Sequence, residues 1–439
     1  MIDRKQLARR IFLRTLEALD AASAISRCVS CADHVLRCGD VEYDLRRYSD
    51  IRVIAVGKAA HGMLDGLAVV IPPGMRLHGI VSAPTAPSHP HSVFHYFESG
   101  HPTPNEQSLL AGEAALNLVR GSTAQTLVIV LLSGGGSALM EFPLLRSLKP
   151  ADVQQMNRVL VTCGASITEI NAIRKHVSAV KGGRLAQAAA PASVLTLAIS
   201  DVPVGKESAL ASGPTLPDPT TRADVEAIIA KYDLRSRLPT ALIEWMESAA
   251  MPETPKVGDG AFERGQFQLV LGMHELFHAA HRIAESEDCL AFCDNSTDDW
   301  PLEKAADSLL VQLEELRAAN PRQPVALIAD GELSSTVTGD GMGGRNSAFV
   351  LACVAKIAGK GMVVLSAGTD GIDGNSPAAG AVADGETLSH ALDASLDPKD
   401  FYRRSDSYHF FELLDDTVMT GPTGNNLRDM RLLIAFPER

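Results

Sequence analysis

The stretch Thr126-Leu-Val-Ile-Val-Leu-Leu-Ser-Gly-Gly-Gly-Ser-Ala-Leu-Met140 limits the possible folds of this chain more than any other. Its apolar run has no polar face, so it reads as a strand buried on both sides, as in a parallel sheet covered by helices. Three glycines follow at once, bracketed by Ser133 and Ser137. Lacking Cβ atoms, they let the backbone turn its N–H groups toward one point and let a ligand approach closely. A helix opening there adds its positive end. The stretch therefore predicts an anion cradle for phosphate, made by Ser133, Gly134, Gly135, Gly136 and Ser137. A plain strand-to-helix turn is the alternative, but one glycine usually suffices for that.

The same pattern of buried strand and small-residue loop recurs along the chain. Ile51–Val56 reads as a strand, and Gly57-Lys58-Ala59-Ala60 turns it into a helix reaching about Val70. A lysine in a helix's first turn adds to the positive end and costs stability unless an anion sits there. Lys58 is thus the first candidate phosphate ligand; the alternative is a packed stem with its head in water. The spacing is not a Walker A motif, because Met63 stands where the lysine belongs. Strands near 77–83 and 92–98, a helix over 106–119 and helices through about 150–190 follow. Strand Ser193–Ile199 then ends in Ser200-Asp201, and an aspartate at the carboxyl end of a parallel strand lies where open α/β sheets bind ligands.

Residues 250–265, rich in Pro and Gly, read as a linker. A second cycle is expected beyond it: strand 267–271, helix 274–287, strand 289–293, helix 302–319, strand 324–329 and a strand at 335–338. Gly339–Asn346 forms a second glycine-rich loop that opens helix 347–358. Strand Met362–Ser366 leads to Thr369-Asp370-Gly-Ile-Asp373-Gly, and Thr420–Asn426 precedes a last strand, Met430–Phe436. A helix over 5–22 opens the chain. This alternation predicts an α/β fold of two three-layer α/β/α domains with largely parallel sheets. The division falls at 1–258 and 259–439, with the active-site cleft between the domains.

Composition removes other classes. A length of 439 residues allows two to three domains, each with its own core. A net charge of −13 disfavours nucleic-acid and anionic-membrane partners. No run approaches the roughly 18 apolar residues of a membrane helix, and no secretory signal is visible. Seven scattered cysteines fit a cytoplasmic protein with reduced thiols. Cys28, Cys31, His34 and Cys38 can be drawn as a zinc site, but no second ligand pair follows at the required spacing. His274-Glu275-Leu-Phe-His278, with His281, matches the zincin motif formally. It sits inside a regular strand-helix-strand cycle, and the metzincin glycine is missing.

Taken in series, the motifs carry a resemblance. Gly57-Lys-Ala-Ala60, Ser133-Gly-Gly-Gly-Ser-Ala-Leu139, Lys181-Gly-Gly-Arg184 and Ser212-Gly-Pro214 resemble the N-terminal domain of class II glycerate 2-kinases. Gly343-Gly-Arg-Asn346, Thr369–Gly374 with Ala378-Ala-Gly380, and Thr420-Gly-Pro-Thr-Gly424 resemble that family's C-terminal MOFRL-type domain. The resemblance implies ATP- and Mg²⁺-dependent phosphorylation of D-glycerate at its 2-hydroxyl, giving 2-phosphoglycerate. Family members are often named hydroxypyruvate reductases. It implies Lys58 and Arg345 as the catalytic cations, which suits phosphoryl transfer, a reaction of positioning and charge neutralisation.

Asp201, Asp370 and Asp373 are the candidates for holding Mg²⁺ or for taking the hydroxyl proton, with Asp201 placed among the catalytic residues; Asp-Gly turn chemistry is the alternative for Asp370 and Asp373. Gly343, Gly344, Thr369, Asp370, Thr420 and Thr423 join the Ser133–Ser137 loop as expected nucleotide contacts. Partners are then a small hydroxy acid and a nucleotide, with the chain a monomer or homodimer. Three departures bear on substrate: Ser347-Ala348 replace the family's Gln-Glu, Lys206 an acidic residue and His274 an asparagine. The rival readings are a kinase of another sugar acid, a non-catalytic sugar-acid binding protein, and an NAD(P)-dependent hydroxypyruvate reductase. The reductase lacks Gly-x-Gly-x-x-Gly after a strand.

Overall fold

The computed structural model describes residues 3–200, 202, 205–424 and 427–438. The chain divides into two compact units, one of residues 21–271 and one of residues 1–20 with 272–439.

The first unit opens with a small antiparallel sheet of β1 (Val29–Ala32), β2 (Val35–Cys38) and β3 (Val41–Asp44). Its main sheet contains β4 (Asp50–Val56), β5 (Leu77–Ala83), β6 (Phe94–Glu98), β7 (Thr126–Leu132), β8 (Ser193–Ile199) and β9 (Gly265–Leu271). The spatial order is β6-β5-β4-β7-β8-β9, and every pairing is parallel. Every residue of β7 and β8 is buried, as expected of strands covered on both faces. The helix Glu106–Val119 starts where its cap dictates: Asn105 accepts from the Ser108 amide at 2.9 Å. Because all strands run one way, the loops after β4, β5, β6, β7 and β8 gather at one edge.

The second unit contains β10 (Leu290–Asp294), β11 (Val325–Asp330), β12 (Met362–Gly368), β13 (Gly380–Asp384), β14 (Thr417–Val418) and β15 (Asp429–Ala435) in the order β10-β11-β15-β12-β13-β14. β10 and β11 are parallel, while β15 is inserted antiparallel to both β11 and β12. Its core joins the helices Leu302–Ala319 and Arg345–Ile357 to the sheet through Leu309, Phe349, Val364 and Leu433. The opening helix, Arg4–Ala18, belongs here. Arg10 and Arg14 pair with Glu287 at 2.6 and 2.8 Å, and Lys5 pairs with Asp416 at 2.7 Å.

The observed division therefore differs from the expected 258/259 boundary. Strand 267–271 pairs with β8 and completes the first sheet instead of starting the second cycle. The Pro/Gly-rich stretch is no linker, because the Thr254 hydroxyl donates to Asp218 at 3.0 Å and the Asp218 amide donates to Pro255 O at 3.0 Å. No strand forms at 335–338, where Val337 is 77% exposed. No helix among the described residues is long and apolar enough to cross a membrane.

Candidate functional site

At the loop edge of the first unit, neighbouring strands β4 and β7 deliver two loops that lock together. The Lys58 amide donates to Gly134 O at 2.9 Å, and the Ala59 amide donates to Ser133 Oγ at 3.0 Å. Gly57 has φ +128°, and a Cβ there would meet the Ser133 carbonyl oxygen at 2.7 Å, so only glycine allows this contact. Lys58 itself is half-buried. Gly135 has φ +82°, and the His101 ring packs where its Cβ would stand. Among the described residues, the amides of Gly134 and Gly135 meet no acceptor. Two adjacent N–H groups beside a lysine loop make a cradle that fits an oxyanion.

The helix after the glycines is a single turn. Only Gly136–Leu139 is helical, so the dipole contribution there is small. Ser137 turns instead to Ser212, with the hydroxyls 2.8 Å apart, and the Ser212 hydroxyl donates to Asn171 at 3.0 Å. Ser133 and Ser137 are thus internal braces of the loop. Asp201 lies outside the described residues.

Behind this edge sits a set of buried charges. Lys181 pairs with Glu141, and Lys175 with Asp218 at 3.2 Å. Burial pushes the Lys181 ammonium below its ordinary value, while Glu141 opposes that shift. Such pairs are weak evidence for stability, because desolvation offsets most of their attraction.

In the second unit the anion-binding positions hold the protein's own carboxylates. Asp373 is buried at the start of helix Arg345–Ile357. It accepts from the amides of Gly344 (3.1 Å), Asn346 (2.9 Å) and Ser347 (2.9 Å), and from the Ser347 hydroxyl (2.6 Å). Both oxygens are engaged, so Asp373 acts as a helix cap supplied from a distant loop. A Cβ on Gly344 would press into Asp373 and meet the Gly374 amide at 2.5 Å, and Gly343 donates its amide to Asn375 at 2.8 Å. These glycines serve the cap.

Arg345 grips Glu332 bidentately, at 3.0 and 2.9 Å, and donates through Nε to Asp429. Burial works against its charge, but Asp429 and Glu332 more than offset this and hold the guanidinium above its ordinary value. Asp370 accepts from the Ile372 amide at 3.1 Å, ordinary turn chemistry. The Thr369 hydroxyl donates to Arg428 O at 2.7 Å, the Thr423 hydroxyl to Thr369 O at 2.6 Å, and the Thr420 hydroxyl to Gly421 O at 2.8 Å. These threonines lace two loops together.

Among the described residues no three His, Cys, Asp or Glu side chains converge as a metal site. Cys28 and Cys38 lie side by side, their sulfurs 3.8 Å apart. Glu275 of the zincin-like motif caps its own helix by accepting from the Gly272 amide at 2.6 Å.

Comparison with known proteins places this architecture. A model described as a domain of unknown function, DUF4147, matches residues 7–247, and the MOFRL family model matches residues 325–429. The D-glycerate 2-kinase of Thermotoga maritima is 32% identical over 381 residues, covering 86% of this chain and 89% of that protein. The chain belongs to the glycerate 2-kinase family. The crystal structure of glycerate kinase from Thermotoga maritima superposes with a TM-score of 0.84 at 30% identity, covering 98% of this chain and 99% of that one. A relative from Agrobacterium vitis, 36% identical over 87% of this chain and 86% of its own length, carries a provisional hydroxypyruvate reductase name.

Within the glycerate 2-kinase family frame, sequence reasoning marked Lys58 and Arg345 but missed their surroundings. Glu332 follows β11 and Asp429 opens β15, and only the fold brings them to Arg345. Ser212 stands inside a recognised motif, yet its contacts with Ser137 and Asn171 are not local. One signal was available: Arg174, Lys175 and His176 fall in succession on a helix that is otherwise largely buried.

Proposed function

We propose that this protein transfers the γ-phosphoryl group of ATP to the 2-hydroxyl of D-glycerate, giving 2-phosphoglycerate and ADP. The observation that carries this reading is the lysine loop fastened to the glycine cradle on adjacent parallel strands. There the amides of Gly134 and Gly135, which meet no acceptor among the described residues, would hold phosphate oxygens, and Lys58 would add a point charge. In the reaction the 2-hydroxyl oxygen bonds to the γ-phosphorus, the bond to the β-phosphate oxygen breaks, and the hydroxyl proton passes to a base. Asp201 is the candidate base.

Arg345 enters with its fork held by Glu332 and Asp429. Two of its five N–H donors lie outside these contacts, so in this reading it holds Glu332 and Asp429 in place and keeps donors for a substrate oxyanion.

Mg²⁺ commonly binds through one or two carboxylates together with nucleotide phosphates. A metal arriving with ATP thus fits a chain whose described carboxylates form no cage, and Asp370 and Asp201 are the candidates to complete its shell. When bound, it neutralises charge on the phosphates.

The test is a coupled ADP-release assay across small hydroxy acids, in which D-glycerate is expected to turn over fastest and Lys58→Ala to lose turnover while staying folded. Silence across the panel, or NADH oxidation with hydroxypyruvate, overturns it in favour of a binding protein or a reductase.

A further inference from the structure

One cation beside the glycine loop makes no hydrogen bond or ion pair among the described residues. Arg174 lies on the helix Ile167–Val177, three residues beyond the Asn171 that accepts from Ser212. Ser212 in turn meets Ser137, so this helix is tied directly to the end of the glycine-rich loop. Lys175 and His176, next in sequence, are satisfied by Asp218 and Glu253. Arg174 is not. Its side chain is half-buried, and its Nε is buried with no hydrogen-bond partner. Among the described residues no ion pair or hydrogen bond reaches its guanidinium.

The nearest opposite charge, Glu141, is already committed: its oxygens accept from Lys181 and from the Phe142 amide at 2.8 Å. Burial accordingly lowers the Arg174 pKa from its ordinary value, and Glu141 opposes this only in part. A guanidinium cannot shed its proton to escape this cost, as a lysine can. Its five donors match a carboxylate or a phosphate bidentately. A partly desolvated, unmatched arginine next to an anion cradle is therefore a binding group awaiting its ligand.

We propose that Arg174 binds an oxyanion of the substrate at the Ser137–Ser212 end of the cradle, and that this oxyanion is the carboxylate of the hydroxy acid. The proposal rests on the kinase reading for the identity of that acid, but not for the site. Arg174 would then fix the carboxylate so that the neighbouring 2-hydroxyl faces the phosphates on Gly134 and Gly135. It would select acids over simple alcohols.

Arg174→Met and Arg174→Lys test this, with thermal unfolding, calorimetric binding of D-glycerate and of inorganic phosphate, and steady-state kinetics. Removing an unmatched cation should leave the unfolding temperature of Arg174→Met at or above that of the wild type. D-glycerate binding should weaken more than tenfold with the KM for ATP within twofold, and Arg174→Lys should recover part of the loss. If phosphate binding and the KM for ATP change instead, the carboxylate assignment is overturned and the oxyanion belongs to the nucleotide. If Arg174→Met binds both ligands as the wild type does, or unfolds several degrees lower with binding intact, Arg174 is structural and the proposal fails. A wild-type protein that ignores D-glycerate but binds phosphate through Arg174 would overturn the kinase reading and keep the site.

Discussion

The two glycine-rich loops look alike in sequence and are used differently. After β7, the glycines stand beside Lys58, and among the described residues two of their amides meet no acceptor and Arg174 nearby makes no ion pair. Before the helix Arg345–Ile357, the glycines let Asp373 reach in and occupy the helix N-terminus, and Arg345 is held by Glu332 and Asp429. The first loop presents amide donors with no acceptor among the described residues, whereas in the second the chain's own carboxylates meet the amides and the arginine. A glycine run thus marks close backbone approach, and only the surrounding charges tell whether a ligand or the chain itself makes that approach.

The contrast is most exposed at Asp373. Replacing it with alanine strands two buried amides, a half-buried one and a hydroxyl, and the expected loss is about 3–5 kcal/mol of unfolding free energy, measured by urea denaturation. Unchanged stability with an altered Mg²⁺ requirement would return Asp373 to the metal and erase the difference between the loops. Lys58→Met should do the reverse. Its backbone bond to Gly134 survives, so folding should persist while kcat falls by about 10²–10³-fold.

Gly57→Ala sharpens the picture of the first loop. Strain at φ +128° and the contact with Ser133 should cost about 1–3 kcal/mol, read as a lower melting temperature together with weakened nucleotide binding.

The smallest effect concerns Glu253, behind the first unit's loops. Burial alone would raise its carboxyl, but the hydrogen bonds to His176 and the Arg222 amide hold it down to about 2, against an ordinary 4.5. A carboxyl depressed in the folded state stabilises it above the unfolded pKa and gives this up as pH falls through the folded one. Glu253→Gln should therefore flatten the decline of melting temperature between about pH 4.5 and 2, and a parallel profile would remove Glu253 from acid unfolding.

Much of the fold was legible where the signal is local. Helices 106–119 and 302–319 and strands 77–83 and 193–199 form at the positions their apolar periodicity and caps predict. Elements whose partners lie far along the chain were not legible. The β1–β3 sheet is built of four-residue strands too short for a periodic signal. The antiparallel course of β15 leaves no mark in its apolar run. Ser335–Thr338 has β-branched residues but meets no neighbouring strand; Thr338 donates its amide to a side chain, Ser405 Oγ, at 2.9 Å.

The same holds for the site. Lys58 and the glycines follow their strands directly and could be read from the chain. That Asp373 caps a helix some 28 residues upstream, and that Arg174 makes no ion pair among the described residues, depends on contacts no local pattern encodes.

The most direct test of the account is phosphorus NMR of the protein incubated with ATP, Mg²⁺ and D-glycerate, run beside Lys58→Met. The account predicts that 2-phosphoglycerate and ADP appear in equal amounts with the wild type and not with the variant. ATP left intact by the wild type, or equal turnover by the variant, would contradict it.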